Sequence, residues 1–218
     1  MIPGPNESEK HYQMRLKRME TATHDFQAKY PNRKIQTIAG YPVFIGKTGL
    51  KIWEAGALWV YEDDHQIRLP LIQLKKYSEE TLNHEKVHCK RIAFDEKRFE
   101  EIFAYLTSSK VWRKKWGALF RTELSLWGFL ILSFCPLWSI HFIIFPLGFL
   151  GWQMIRLFID RRHLLNVIEK LGSFERALYL TDNEIIAFSK MSKNEIFAYL
   201  KKNRDFDLRI CKLMQLMS

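Results

Sequence analysis

Residues 124–155 read LSLWGFLILSFCPLWSIHFIIFPLGFLGWQMI, a run without a single Asp, Glu, Lys or Arg. One membrane span needs roughly 20 apolar residues, so the run is too long for one helix, and its flanks leave room for two short ones. Pro136 removes a backbone donor near the middle, and the adjoining CPLWSIH offers Ser139 and His141 as polar groups at a tip. The sequence therefore predicts a two-helix transmembrane hairpin within residues 111–162, with a hairpin that only dips into the bilayer as its variant. A buried helical pair in a soluble protein fits less well, because soluble cores rarely run this far without a charge.

The flanks orient the hairpin. Lys110, Arg113, Lys114 and Lys115 precede it, and Arg156, Arg161 and Arg162 follow it. The positive-inside rule puts both clusters on the cytoplasmic side of a plasma or inner membrane, facing the anionic leaflet. Among Trp112, Trp116, Trp127, Trp138 and Trp152 several fall near the expected interfaces as an aromatic belt, with helix-to-helix packing the alternative for Trp127 and Trp152, and Arg121 and Glu123 read as anchors that snorkel or pair near the surface. The whole chain of 218 residues has 34 Lys and Arg against 24 Asp and Glu, a net charge of +10. That charge suits a polyanion, and its position beside the apolar run favours membrane lipid over nucleic acid. A mean hydropathy of -0.22 conceals this segregation. Residues 1–10 are polar, with Pro3, Gly4 and Pro5, so insertion is expected to rely on the internal segment rather than a signal peptide. Cys89, Cys135 and Cys211 are scattered and odd in number, which suggests neither a disulfide framework nor a CxxC metal pair.

Outside the hairpin the pattern is α+β. Residues 1–33 hold an amphipathic helix, apolar at Tyr12, Leu16, Met19, Phe26 and Tyr30 and stopped by Pro31. Residues 34–110 show short β-rich runs, KIQTIAGYPVFIG, LKIWEA, ALWVYED, HQIRLPL and KVHCKRIAF, with turn signals at Lys47-Thr48-Gly49, Ala55-Gly56 and Asp63-Asp64. A helix is expected to follow, capped by Asp95 and stapled by Phe94 and Phe99, with Ile102, Phe103 and Leu106 docked on the sheet. These elements make a small antiparallel meander or partial barrel closed by a helix.

The run IGKTGLKIWEAGALWVYEDDHQIRLPLIQLKKY, followed by KRIAFDEKRFEEIFAYL, resembles bacterial pleckstrin-homology-like (GRAM-like) domains, which recur beside transmembrane hairpins. The resemblance implies a non-enzymatic, membrane-anchored adaptor or assembly module that needs no cofactor and binds a protein partner, a second copy of itself or anionic lipid. In residues 163–218, a helix through residue 171 should end at Gly172. A strand pair, RALYL and EIIAF, is expected around Thr181-Asp182-Asn183, then a helix with a Ser192/Glu195 capping box and an amphipathic tail over residues 207–218. IAF and EIFAYL at residues 92–94 and 101–106 recur at 186–188 and 195–200, suggesting two strand-then-helix units or coincidence.

The one enzyme-like motif is His84-Glu85-Lys86-Val87-His88, an HExxH. On a helix, histidines at i and i+4 bind one zinc and the glutamate activates water for peptide hydrolysis. Ser78, ahead of two glutamates, offers a helix start, and Glu96, Glu100 and Glu101 offer a third ligand. The alternation in KVHCKRIAF and the charge at Lys86 favour a loop and strand instead, which would part the histidines. The adaptor reading therefore leads. One alternative is a membrane-bound zinc metallopeptidase with His84 and His88 as ligands and Glu85 as general base. Another is a subunit of a larger secretion or transport complex, with Gly128, Gly148 and Gly151 allowing close helix contact. Phosphate-binding glycine loops and the GxSxG elbow are missing.

Overall fold

The computed structural model describes residues 1–63 and 66–217. Asp64, His65 and Ser218 lie outside them, so the second half of the Asp63-Asp64 turn, the first residue of HQIRLPL and the last of the tail are not assessed. Helix α1 (Glu9–Lys29) starts at Ser8, whose hydroxyl accepts the His11 N–H. Strands β1 (Ile35–Ile38) and β2 (Tyr41–Ile45) form a tight hairpin over Ala39 and Gly40, both at positive φ. Strands β3 (Gly56–Glu62) and β4 (Arg68–Leu74) form a second antiparallel pair.

The two hairpins join through β2 and β4, which run parallel with Val43 opposite Ile72 and Ile45 opposite Leu74. The order is β1-β2-β4-β3, so β3 is an edge. This corrects the expected meander: the sheet is mixed and open. LKIWEA forms no strand but a turn ahead of β3. Pro70 is tolerated inside β4 because the β2 pairing reaches only Ile72 to Leu74, leaving no ladder partner there to lose on that side.

Alternation along the strands gives the sheet two apolar faces. Phe44, Leu69 and Leu71 meet Ala22 and Phe26 of α1 on one face. Val43, Ile72 and Leu74 meet Leu82 and Cys89 of α2 (Glu79–Lys90) on the other. The closing helix, α3 (Glu100–Leu106), does not plug this sheet. Ile102 and Phe103 are buried in a separate helical core instead. Its start also differs from expectation. Asp95 pairs with Arg68 at 2.5 Å and Glu96 accepts the Asp182 N–H at 2.6 Å, so residues 95–98 are held by tertiary contacts and the helix begins one turn later with no side-chain cap.

Helices α4 (Val111–Trp116) and α5 (Glu123–Leu132) lead to two 3₁₀ turns, Cys135–Leu137 and Ile140–Ile143, and then to α6 (Ile144–Leu171). The break falls on the CPLWSIH tip. Within residues 140–171 lies the one helix, among the described residues, long and apolar enough to cross a membrane, with a mean hydropathy of 1.7. α5 is only about 15 Å long and α6 about 42 Å. Ile144, Leu147, Ile155 and Phe158 are exposed in the first part of α6, whereas Leu164, Val167 and Leu171 in its last three turns are buried.

The expected strand pair RALYL and EIIAF is helical: α7 (Phe174–Ala177) and α8 (Asp182–Lys190). The reason is a capping box in which Thr181 and Glu184 bond each other's backbone N–H groups. The two IAF copies therefore differ, one in the turns after α2 and one inside α8, while both EIFAYL copies are helical, the second in α9 (Lys193–Asn203). The tail forms α10 (Leu208–Gln215) and docks through Ile210 and Leu213, with buried Arg209 paired to Glu184.

A buried cation and a buried anion tie distant elements together. Arg91, at the end of α2, donates to the Leu178 and Leu180 carbonyls at 2.7 and 2.8 Å. Asp160, in the middle of α6 and fully buried, receives Arg98 at 2.6 Å and Arg121 at 2.5 Å. Arg121 is thus an internal partner rather than a free interfacial anchor. Removing one member of a buried pair strands the others, at a typical cost of about 3–5 kcal/mol. Asp160→Ala should therefore lower Tm by roughly 6–20 °C, measured by near-ultraviolet circular dichroism; an unchanged Tm would show that the clamp does not hold α6 to the domain.

Candidate metal centre

The HExxH lies on a helix. Ser78 caps α2, its hydroxyl accepting the Thr81 N–H at 3.3 Å, and Glu79 and Glu80 occupy the first turn, where the helix dipole favours acids. The expected strand over KVHCKRIAF is thereby corrected. Its apparent period of two arises because α2 is buried on two sides: Cys89 faces the sheet cluster and Val87 the helical core. With a full turn between them, His84 and His88 share a face.

Helix α3 crosses that face and brings Glu101. The two histidine Nε2 atoms are 3.4 Å apart, His84 Nε2 is 3.7 Å from Glu101 Oε2, and His88 Nε2 is 3.6 Å from Glu101 Oε1. Tetrahedral ligand atoms about 2.0–2.1 Å from a zinc ion are roughly 3.3–3.4 Å from one another. The residues fit that ion with little movement. His88 Nδ1 is 2.8 Å from Glu100 Oε1, so a proton shared there leaves Nε2 free to ligate, and His84 has its own backbone partner at Ala104. Of the three acids considered as third ligands, Glu101 completes the cluster and Glu100 orients His88. Glu96 lies elsewhere, bonded to the Asp182 N–H.

The protonation states follow from burial and charge. Burial, then the neighbouring His88 charge, lowers His84 to about 3. His88 is also disfavoured as a cation by burial, but its Glu100 hydrogen bond and the Glu101, Glu100 and Glu85 charges raise it to about 9. Burial lifts Glu85 to about 7 and Glu101 above the usual carboxylate range. Without metal, one proton on His88 offsets the surrounding acids. A divalent cation would replace it.

The cluster opens into a cleft of about 530 Å³. Its floor is the His84, Glu85 and His88 face of α2, one wall is the start of edge strand β3, and the other carries Tyr105 and Arg113. Gly56 allows the strand this close: a Cβ there would lie 2.8 Å from Thr81 Cγ2. Gly117 does the same for Tyr105, whose ring would collide with any side chain at that position. Tyr105 stands edge-on to His84, with ring centroids 4.7 Å apart.

The seven basic residues expected to face lipid divide. Lys110, Lys115, Arg156 and Arg162 are exposed. Arg113 lines the cleft and pairs with Glu80 at 3.1 Å, and Arg161 donates to the Lys114 carbonyl. Sequence reasoning missed Tyr105, the β3 wall and Asp160. Only Asp160 left a trace there, as a lone acid close to the end of the apolar run.

Zinc titrated into metal-free full-length protein at pH 7.5 should bind once and release about one proton, because His88 is protonated there and His84 is not. Calorimetry in buffers of different ionisation enthalpy reads that number, and His84→Ala should abolish binding; release of no proton would contradict these protonation states. The chain matches no protein-family model, no curated protein and no solved structure, so the reading rests on this geometry.

Proposed function

We propose that this chain is a membrane-held zinc metallopeptidase whose centre is His84, His88 and Glu101, with Glu85 as general base. The observation that carries the reading is the spacing of the three ligand atoms, all within 4.8 Å of one another, beside Glu85 in an open cleft. Bound zinc supplies Lewis acidity toward the scissile carbonyl and acidifies a water molecule. Glu85 takes the proton of the attacking water and passes it to the leaving amine, a task matched to a carboxyl poised near neutrality. Tyr105 and Arg113, which line the far wall, would act as donors toward the developing oxyanion. Among the described residues strand β3 is paired on one side only, so an extended peptide can lie antiparallel along its outer edge and bring a carbonyl to the floor.

Membrane attachment belongs to the same proposal. The apolar segment of α5, the tip and the first half of α6 enters the bilayer and returns, and the exposed basic residues at both ends face the anionic cytoplasmic leaflet. The pleckstrin-homology-like adaptor reading draws no support from a mixed sheet with a parallel β2–β4 pair and an α3 packed away from it.

Glu85→Gln should retain zinc and lower kcat on an unstructured protein substrate by about 10²–10⁴-fold. In the wild type, activity should fall as pH drops through about 7 or somewhat below, because protonated Glu85 cannot accept a proton and the nearby metal charge lowers its pKa. Undiminished turnover in Glu85→Gln, or activity that survives complete removal of zinc, would overturn the assignment.

A further inference from the structure

The cleft is built into the part of the protein that meets the apolar segment. Trp53, on its β3 side, stacks edge-on against Trp127 of α5 with ring centroids 6.3 Å apart, and neighbouring Lys51 pairs with Glu123 at the first residue of α5. Arg113, on its opposite side, belongs to α4, whose Trp112 and Trp116 point outward, and α4 is fastened to α6 by Arg161. Both lips are thus tied to the water-side ends of the apolar helices.

The surface around the mouth has the chemistry of a bilayer interface. Ile52 is 89% exposed, and Trp53, Val111, Trp112 and Trp116 are each about half exposed or more, interleaved with Lys51, Lys110, Arg113 and Lys115. Exposed tryptophans among cations are what the headgroup region favours, whereas contiguous apolar side chains in water are costly. The metal ligands themselves sit among ionised groups in the polar part of the fold, so the chemistry takes place outside the hydrocarbon. A main chain leaving the membrane would meet Trp53 and Arg113 first and reach β3 within a few residues.

Resting on the peptidase and membrane readings above, we infer that the substrate is a membrane-anchored polypeptide, cut in an extended stretch immediately outside the bilayer, rather than a free soluble protein or a segment within the span. Anchoring would confine substrate and cleft to one surface layer and raise the effective concentration without further contacts. Distance from the surface would then decide cleavage.

The test uses full-length, zinc-loaded protein in liposomes containing anionic lipid, with a pool of single-span reporters carrying a randomised extended segment. The segment is placed next to the span, or beyond a Gly/Ser spacer of about 30 residues that moves it roughly 30 Å away, or is supplied as free peptide. The expected result is cleavage of the adjacent form at least tenfold faster than either other form, at sites within a few residues of the span. Equal rates for adjacent, spaced and free segments, with cleavage lost in Glu85→Gln, would overturn this inference and leave the peptidase reading standing. Zinc-dependent cleavage of none of the three would overturn both.

Discussion

The double burial of α2 is the constraint on which the rest depends. Leu82 and Cys89 pack on the sheet while Val87 packs into the helical core, so the helix cannot rotate without opening one core or the other. Its remaining face is fixed toward the cleft, and that face carries His84, Glu85 and His88. Arg91 locks the end of the helix to the α7–α8 connection, and α3, packed alongside, delivers Glu100 and Glu101. The imidazole rings are thus held in place by protein contacts alone.

The same logic extends to the apolar segment. Helix α6 is continuous from the exposed apolar tip to the buried turns that contact α7 and α8, and Asp160 receives Arg98 and Arg121 where its environment changes. An acid buried there without partners would be prohibitive; doubly paired, it fixes the register of α6 against the connection to α3 and the entry to α5. The cleft lips are joined to those same helices by Trp53, Lys51 and α4. The cleft and the apolar segment are therefore parts of one connected frame rather than two tethered modules.

Local signals were legible wherever one face or one cap dominated. The Tyr12 to Phe26 stripe, the Ser192 capping box and the break at CPLWSIH all have structural counterparts, whereas the Ala39-Gly40 turn that divides KIQTIAGYPVFIG into two strands was missed. The other errors share a cause. In KVHCKRIAF a helix buried on two sides imitates the alternation of a strand, and Thr181-Asp182-Asn183 suits a turn and a helix cap equally well because the side chains compete for the same backbone N–H groups. The start of α3 was displaced by contacts of Asp95, Glu96 and Arg98 that are far away in sequence. Of the site, the histidines and Glu85 were visible as a motif, but choosing Glu101 over Glu96 required the crossing of α2 and α3, and the β3 wall required the strand order.

The most direct test of this account is zinc-edge X-ray absorption on the metal-loaded full-length protein. The account predicts a nitrogen and oxygen shell at about 2.0–2.1 Å with two imidazole signatures, both lost with the bound zinc in His88→Ala. A sulfur shell at about 2.3 Å, or a spectrum unchanged by that substitution, would place the metal elsewhere and contradict it.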